Sequence, residues 1–212
     1  MPRVLLISAA SYLLGSIPFG YLLVRIFRGE DVRQTGSGNI GATNVSRKSP
    51  VLGVMTLVLD ALKGSAAVVL AAYLSSQTGT TKLYEAMSLA ALSAVVGHMV
   101  PIWLKFRGGK GVATGLGSFV MIAPKSVLIA AAVFVAIVLV FRYISLGSIV
   151  AVASFPFLAW ALHEYGSTWL ALASMATTSL LIIARHHENI RRLLAGTENR
   201  FGSKRVVRLE KR

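Results

Sequence analysis

No cysteine occurs among the 212 residues, which excludes disulfides, thiolate metal sites and a cysteine nucleophile. Acidic residues are nearly as scarce. Eight Asp and Glu stand against 22 Lys and Arg, leaving a formal charge of +14. Charged residues make up only 14% of the chain, where a soluble domain carries about a quarter. With 55% hydrophobic residues and a mean hydropathy of +0.67, the composition is that of an integral membrane protein. In such a chain the basic excess suits anionic lipid or acidic substrates rather than nucleic acid. The four histidines (His98, His163, His186, His187) lack a zinc-binding spacing, so no metal or other cofactor is expected.

What the chain has in abundance is apolar runs. A crossing needs about 20 apolar residues, rising 1.5 Å each through about 30 Å of hydrocarbon. Runs at 4–27, 51–75, 83–104, 111–123, 125–141, 144–163 and 167–184 predict an all-α, polytopic protein of about seven transmembrane helices. The fourth is short and is set off by Pro124, so a full crossing is left open there. The first is too long for a cleaved leader and lacks a small-residue cleavage site. Seventeen Lys and Arg fall in loop 28–50, loop 105–111, at Arg142 and in the tail from Arg185 to Arg212. Only Arg3, Lys82 and Lys125 fall on the opposite side. That asymmetry predicts an outside N-terminus and a cytoplasmic C-terminus, and it gathers every polar, glycine-rich segment on one face. The whole chain reads as one membrane domain, 1–212, with the basic tail 185–212 contributing to its site.

Three polar patches carry the chemistry. The first is Gln34-Thr-Gly-Ser-Gly-Asn-Ile-Gly-Ala-Thr-Asn-Val-Ser-Arg47. Here Ser37, Asn39, Thr43 and Asn44 can donate to phosphate or hydroxyl oxygens, and Arg47 can grip an oxyanion bidentately. The same residues also suit an ordinary turn with helix caps. The second is Phe106-Arg-Gly-Gly-Lys-Gly-Val-Ala-Thr114. Gly108, Gly109 and Gly111 around Lys110, with Thr114 one turn on, suggest an anion cradle at a helix start. Close helix packing is the plainer alternative. A nucleotide phosphate loop is excluded: Leu104 stands where its first glycine belongs and Gly111 where its hydroxyl belongs.

The third patch runs from Arg185-His186 through Asn189 and Arg192 to Glu198. It reads either as a basic interfacial helix or as a segment folding back to complete a site. His98, near the end of the third run, is open between general base, phosphate donor and structural partner. Asp60 and Lys63, three residues apart inside the second run, are expected to pair near the site. Arg25 is expected to snorkel.

Taken together, these motifs resemble the bacterial acyl-phosphate:glycerol-3-phosphate acyltransferase family. The resemblance rests on Gly15-Ser-Ile-Pro-Phe-Gly20, Ser37-Gly-Asn-Ile-Gly-Ala-Thr-Asn44 with Arg47, and Gly97-His-Met-Val-Pro101. It continues through Phe106–Thr114, Arg185-His186, Asn189-Ile190, Arg192-Leu193 and Gly196-Thr-Glu198. It implies seven spans with a cytoplasmic active site in the bacterial plasma membrane. It also implies acyl transfer from acyl phosphate to the 1-hydroxyl of glycerol 3-phosphate, giving lysophosphatidic acid and inorganic phosphate. That reaction is the first step of phosphatidic acid synthesis.

The same resemblance has the Lys110 loop hold phosphate and assigns Ser37, Arg47 and Asn189 to substrate binding. Acyl phosphate is an activated anhydride, so direct attack by the glycerol hydroxyl needs no protein nucleophile. His98, His186, Glu198 or the substrate's own phosphate could accept the proton. The candidate catalytic set is therefore Ser37, Arg47, Lys110, His98, His186 and Glu198. The candidate binding set is Asn39, Thr43, Asn44, Gly108, Gly109, Gly111, Thr114, Asn189 and Arg192. The competing class is a membrane transporter of a phosphorylated anion, against which no inverted repeat is evident.

Overall fold

A computed structural model describes residues 2–76 and 82–202. The part of the basic tail from Lys204 to Arg212, expected with the rest to contribute to the site, lies outside the described residues. Among those described the chain is helical throughout, with no strand. The first apolar run is broken. Helix α1 (Pro2–Gly15) and α2 (Phe19–Arg28) are separated at Ser16-Ile-Pro18, because proline supplies no N–H and disfavours helix in the residue before it. After the short α3 (Ala42–Val45), the 27-residue α4 (Pro50–Ser76) and α5 (Leu83–Met99) follow. The chain continues through α6 (Val112–Val120), α7 (Pro124–Phe141) and α8 (Ile144–Ala161). It ends with α9 (Trp169–Ala184) and α10 (His187–Leu194).

Five stretches are long and apolar enough to cross a bilayer: Val4–Arg28, Pro50–Ser76, Leu83–Leu104, Pro124–Phe141 and Ile144–Ala161. A sixth is added if α9 and α10, bent by 56°, count as one. The expected fourth span is the main difference. Helix α6 has nine residues, covering about 14 Å at 1.5 Å each, about half the hydrocarbon. It ends in the turn before Pro124.

This membrane protein is turned inside out in its apolar distribution. On α7, Leu128, Leu139 and Val140 are each more than 70% exposed, the pattern of a helix facing lipid. The interior is lined instead with small residues. On α1 and α5, a methyl on Gly15 would collide with the Ala94 backbone and one on Gly97 with the Tyr12 carbonyl. Without side chains the backbones approach closely, which is how helices associate where no hydrophobic force drives them. Helix α6 is held to α4 in the same way, by Gly64 and Gly117. The far end of the bundle is tied by Glu164. Its carboxylate accepts from the Ser126 hydroxyl (2.7 Å) and the amides of Ser126 (2.8 Å) and Lys125 (3.2 Å), capping α7. At the opposite end the loops before α3 and α6 meet the α9–α10 bend.

Candidate active site

The first loop is organised by one buried side chain. The Asn44 amide donates to the carbonyls of Asn39 (2.8 Å), Thr35 (3.0 Å) and Val32 (3.2 Å), and its oxygen accepts the Ser37 N–H at 2.9 Å. Gly36 has φ +62°, and any Cβ there would fall on the Asn44 oxygen. The Asn39 side chain likewise turns back to accept from the Gly41 N–H at 2.8 Å. Asn44 and Asn39 were expected to donate to substrate. The Asn44 amide is instead committed to shaping the loop that presents Ser37, Thr43 and Arg47 to the cavity, whereas Asn39 commits only its oxygen and itself lines that cavity.

The second loop also departs from expectation. Gly108 and Gly109 do not form an open nest: their N–H groups donate to the carbonyls of Met99 (3.1 Å) and His98 (3.0 Å). Both glycines are buried against the end of α5, Gly108 on the His98 carbonyl and Pro101, Gly109 on the His98 ring. Lys105 and Phe106 in the turn carry positive φ of 52° and 61°. That is strain of the kind concentrated at functional sites. Gly111, at φ +88°, makes the turn into α6, where a Cβ would press on Val95 and Met99. The cavity therefore meets Lys110, Gly111 and the first residues of α6, Val112 and Ala113. An anion there would meet first-turn amides, which lack intrahelical partners. Thr114 is fully buried behind them and does not line the cavity.

Arg185 fastens the loop from outside. Its guanidinium donates to the carbonyls of Met99 (3.2 Å), Gly108 (3.4 Å) and Gly109 (3.4 Å). It was not among the expected site residues, although it opens the third motif. From below, the loop rests on a buried charged trio. Lys63 Nζ reaches Asp60 Oδ1 (2.7 Å), the Ile17 carbonyl (2.7 Å) and His98 Nδ1 (2.9 Å). The carbonyl freed where α1 breaks into α2 is thus satisfied by a lysine ammonium 46 residues away. With Lys63 as donor, the His98 ring proton lies on Nε2. Neither ring nitrogen then has a lone pair for a hydroxyl proton, and the structural alternative for His98 is favoured.

The third motif completes the cavity. The Lys110 ammonium donates to Asn189 Oδ1, and Asn189 Nδ2 donates to Glu198 Oε1 at 2.7 Å. Glu198 also receives Ser145 Oγ (2.7 Å) and Arg192 Nε (2.6 Å). Burial pulls the Glu198 carboxyl upward, but these three donors together hold it below the ordinary carboxylate range. Burial lowers Lys110 to about 8, opposed by the Glu198 charge and assisted by Arg192, Arg47 and Arg185. His186 is buried and faces Lys110, which lowers it to about 4. Its Nδ1 lies 2.8 Å from the Ile182 carbonyl and must donate, so the lone pair is on Nε2.

All six expected catalytic residues and six of the nine expected binding residues line one cavity of about 670 Å³; Gly108, Gly109 and Thr114 do not. Five basic side chains (Arg47, Lys48, Lys110, Arg192, Arg200) face it against the carboxylates of Asp60 and Glu198. It is continuous, through shared walls at Thr43, Leu57, Val112, Ala113 and Phe134, with an apolar groove of about 600 Å³. The groove runs between α4, α6, α7, α8 and α9. A polyanion site opening into an apolar groove fits an amphiphile with a phosphate head. No cluster of metal-ligating side chains occurs among the described residues.

Comparison with known proteins gives the same class. The family profile described as glycerol-3-phosphate acyltransferase matches residues 5–196. The protein of that name from Syntrophotalea carbinolica is 48% identical over 194 residues, covering 91% of this chain and 94% of its own length. The one from Geotalea daltonii is 46% identical over 199 residues, covering 93% and 96%. Two crystal structures of PlsY (YgiH), an integral membrane glycerol 3-phosphate acyltransferase, share the fold. The glycerol 3-phosphate form superposes with a TM-score of 0.84 at 38% identity, and the lysophosphatidic acid form with 0.82 at 36%. Each alignment covers 94% of this chain and 96% of the other. With a family profile spanning nearly the whole chain and relatives approaching half identity over nearly all of it, this protein belongs to the glycerol-3-phosphate acyltransferase family.

Proposed function

We propose that the protein transfers a fatty acyl group from acyl phosphate to the 1-hydroxyl of glycerol 3-phosphate, at the cytoplasmic face of the bacterial plasma membrane. The observation that carries this reading is the junction of the two cavities. Arg47, Lys110, Arg192 and the start of α6 form a cationic basin, and the apolar groove leaves it beside Thr43 and Val112. Two phosphate-bearing substrates repel one another, and fixed cations in a partly dry site offset that repulsion. The acyl chain lies in the groove, so its carbonyl sits where the groove meets the basin.

The hydroxyl oxygen attacks the acyl carbon, the bond from that carbon to the phosphate oxygen breaks, and inorganic phosphate departs. The hydroxyl proton leaves for His186 Nε2 or for a phosphate oxygen of the substrates. Neutral His186, with its lone pair directed by the Ile182 bond, is the better placed of the protein groups, because Glu198 is engaged by three donors. Positioning and electrostatics supply most of the acceleration. Seven membrane segments, the short α6 among them, an outside N-terminus and a cytoplasmic tail are part of the proposal; the seventeen-to-three distribution of basic residues supports it by placing the loop before α6 and Lys125 after it on opposite sides. Asn189, Arg192 and Glu198 in the cavity support counting the tail within a single acyltransferase domain.

Purified protein given acyl phosphate and labelled glycerol 3-phosphate is expected to form labelled lysophosphatidic acid with stoichiometric phosphate release. Absence of that product, or trapping of a stable acyl group on Ser37, would overturn the scheme.

A further inference from the structure

The segment after α10 does more than deliver Glu198. Gly196, at φ +67°, turns the chain back across the α7–α8 corner, where it is fastened at consecutive points. The Phe201 N–H donates to the Arg142 carbonyl at 2.6 Å. Arg142 Nε returns a bond to the Phe201 carbonyl at 3.1 Å. Arg200 lies over the Tyr143 ring, 5.5 Å from its centroid, with Nε 3.1 Å from the phenol oxygen. In the first turn of α8, Ser145 holds Glu198. The Arg142 end of this clasp is set by its own backbone, which is left-handed at φ +61° where α7 gives way to α8. The clasp fixes the backbone of the one aromatic residue in the tail.

That residue borders both cavities. Phe201 lines the cationic basin and the apolar groove together with Phe134 and Ile144, and among the described residues after α10 it alone reaches the groove. Phe201 is 60% exposed, so core packing does not explain it.

We infer that Phe201 is a specificity-determining contact for the acyl donor, held by the Arg142 clasp at the mouth of the groove so that its ring covers the first carbons of a long acyl chain. This rests on the acyl-transfer reading of the site. An exposed phenyl ring at the groove mouth leaves water when an alkyl chain lies against it. The same clasp joins Glu198, through Asn189, to Lys110. The groove mouth and the phosphate cation are therefore parts of one connected segment.

The test is equilibrium binding of unreactive acyl phosphonates to the purified full-length protein, beside the turnover assay. Phe201→Ala is expected to weaken a sixteen-carbon phosphonate about tenfold, as loss of one apolar side-chain contact implies. Methylphosphonate, which keeps the anionic head and lacks the chain, and glycerol 3-phosphate should bind with unchanged affinity, and Phe201→Leu should restore long-chain binding to within about threefold. Equal long-chain affinity in wild type and Phe201→Ala would refute the inference. So would an equal loss for methylphosphonate or for glycerol 3-phosphate, which would mark Phe201 as a mere tail anchor acting through Glu198. If the wild type failed to turn over acyl phosphate while the long-chain loss in Phe201→Ala persisted, the donor assignment would fall and the Phe201 contact would stand.

Discussion

Lys110 should make catalysis sensitive to pH in a range where lysines are ordinarily silent. Its ammonium is lowered from the usual lysine value to about 8, chiefly by burial, with Arg192, Arg47 and Arg185 adding to the effect. The charged form is therefore complete well below pH 8 and is lost as pH rises through it. With a midpoint near 8, the protonated fraction falls from about nine-tenths at pH 7 to about one-tenth at pH 9. If only the charged form holds phosphate, kcat/KM should fall about tenfold over that interval. The substrate does not confound this, since the second ionisation of a phosphate monoester lies near 6.

Initial rates between pH 6.5 and 9.5, with each substrate limiting in turn, give the profile. Lys110→Arg keeps its charge throughout and should flatten the alkaline limb. Glu198→Gln removes the carboxylate that supports the ammonium and should move the limb to lower pH. A wild-type profile flat from pH 7 to 9 for both substrates, or an equal fall in Lys110→Arg, would refute the reasoning.

Arg47→Ala should lower kcat/KM by about 10- to 100-fold, the weight of one charge-assisted phosphate contact, with the protein still present in membranes by immunoblot. Lys63→Met leaves Asp60 buried beside His98 without its 2.7 Å partner, so the melting temperature in detergent should drop by the equivalent of about 3–5 kcal/mol. The double change Asp60→Leu with Lys63→Met should recover much of that loss. Gly109→Ala sets a methyl onto the His98 ring and should abolish turnover with a lowered melting temperature; unchanged activity would contradict the packing described.

The polar patches were legible because membrane chains rarely spend Ser, Asn, Gly and Arg without reason. Ser37, Arg47, Lys110, Asn189 and Glu198 stood out in a sequence with so few charges. What each does was less legible. Asn44 has the same donors whether it faces substrate or its own loop, and only the fold shows it bonded to Val32, Thr35 and Asn39. The amides of Gly108 and Gly109 looked free because nothing local reveals that the end of α5 lies beneath them. The pairing of Asp60 with Lys63 followed from helical spacing, but their link to His98 and Ile17 joins separate helices and left no periodic signal. Residues 111–123 are apolar enough to suggest a span, yet three glycines and the turn before Pro124 leave a nine-residue helix packed inside the bundle. Phe201 sent no signal, since one aromatic in a basic tail has no pattern to belong to.

The position of Asn189 and Glu198 near the end of the chain has a consequence for biogenesis. Arg47 and His186 are separated by 138 intervening residues, about 7 to 30 seconds of synthesis at ordinary rates. Through that interval Arg47 and later Lys110 are in place without the network that orders Lys110 and balances its charge. On the proposed mechanism, a nascent chain is expected to be catalytically silent until α10 turns back at the membrane surface. Fragments released early from the ribosome would occupy the bilayer without consuming acyl donors.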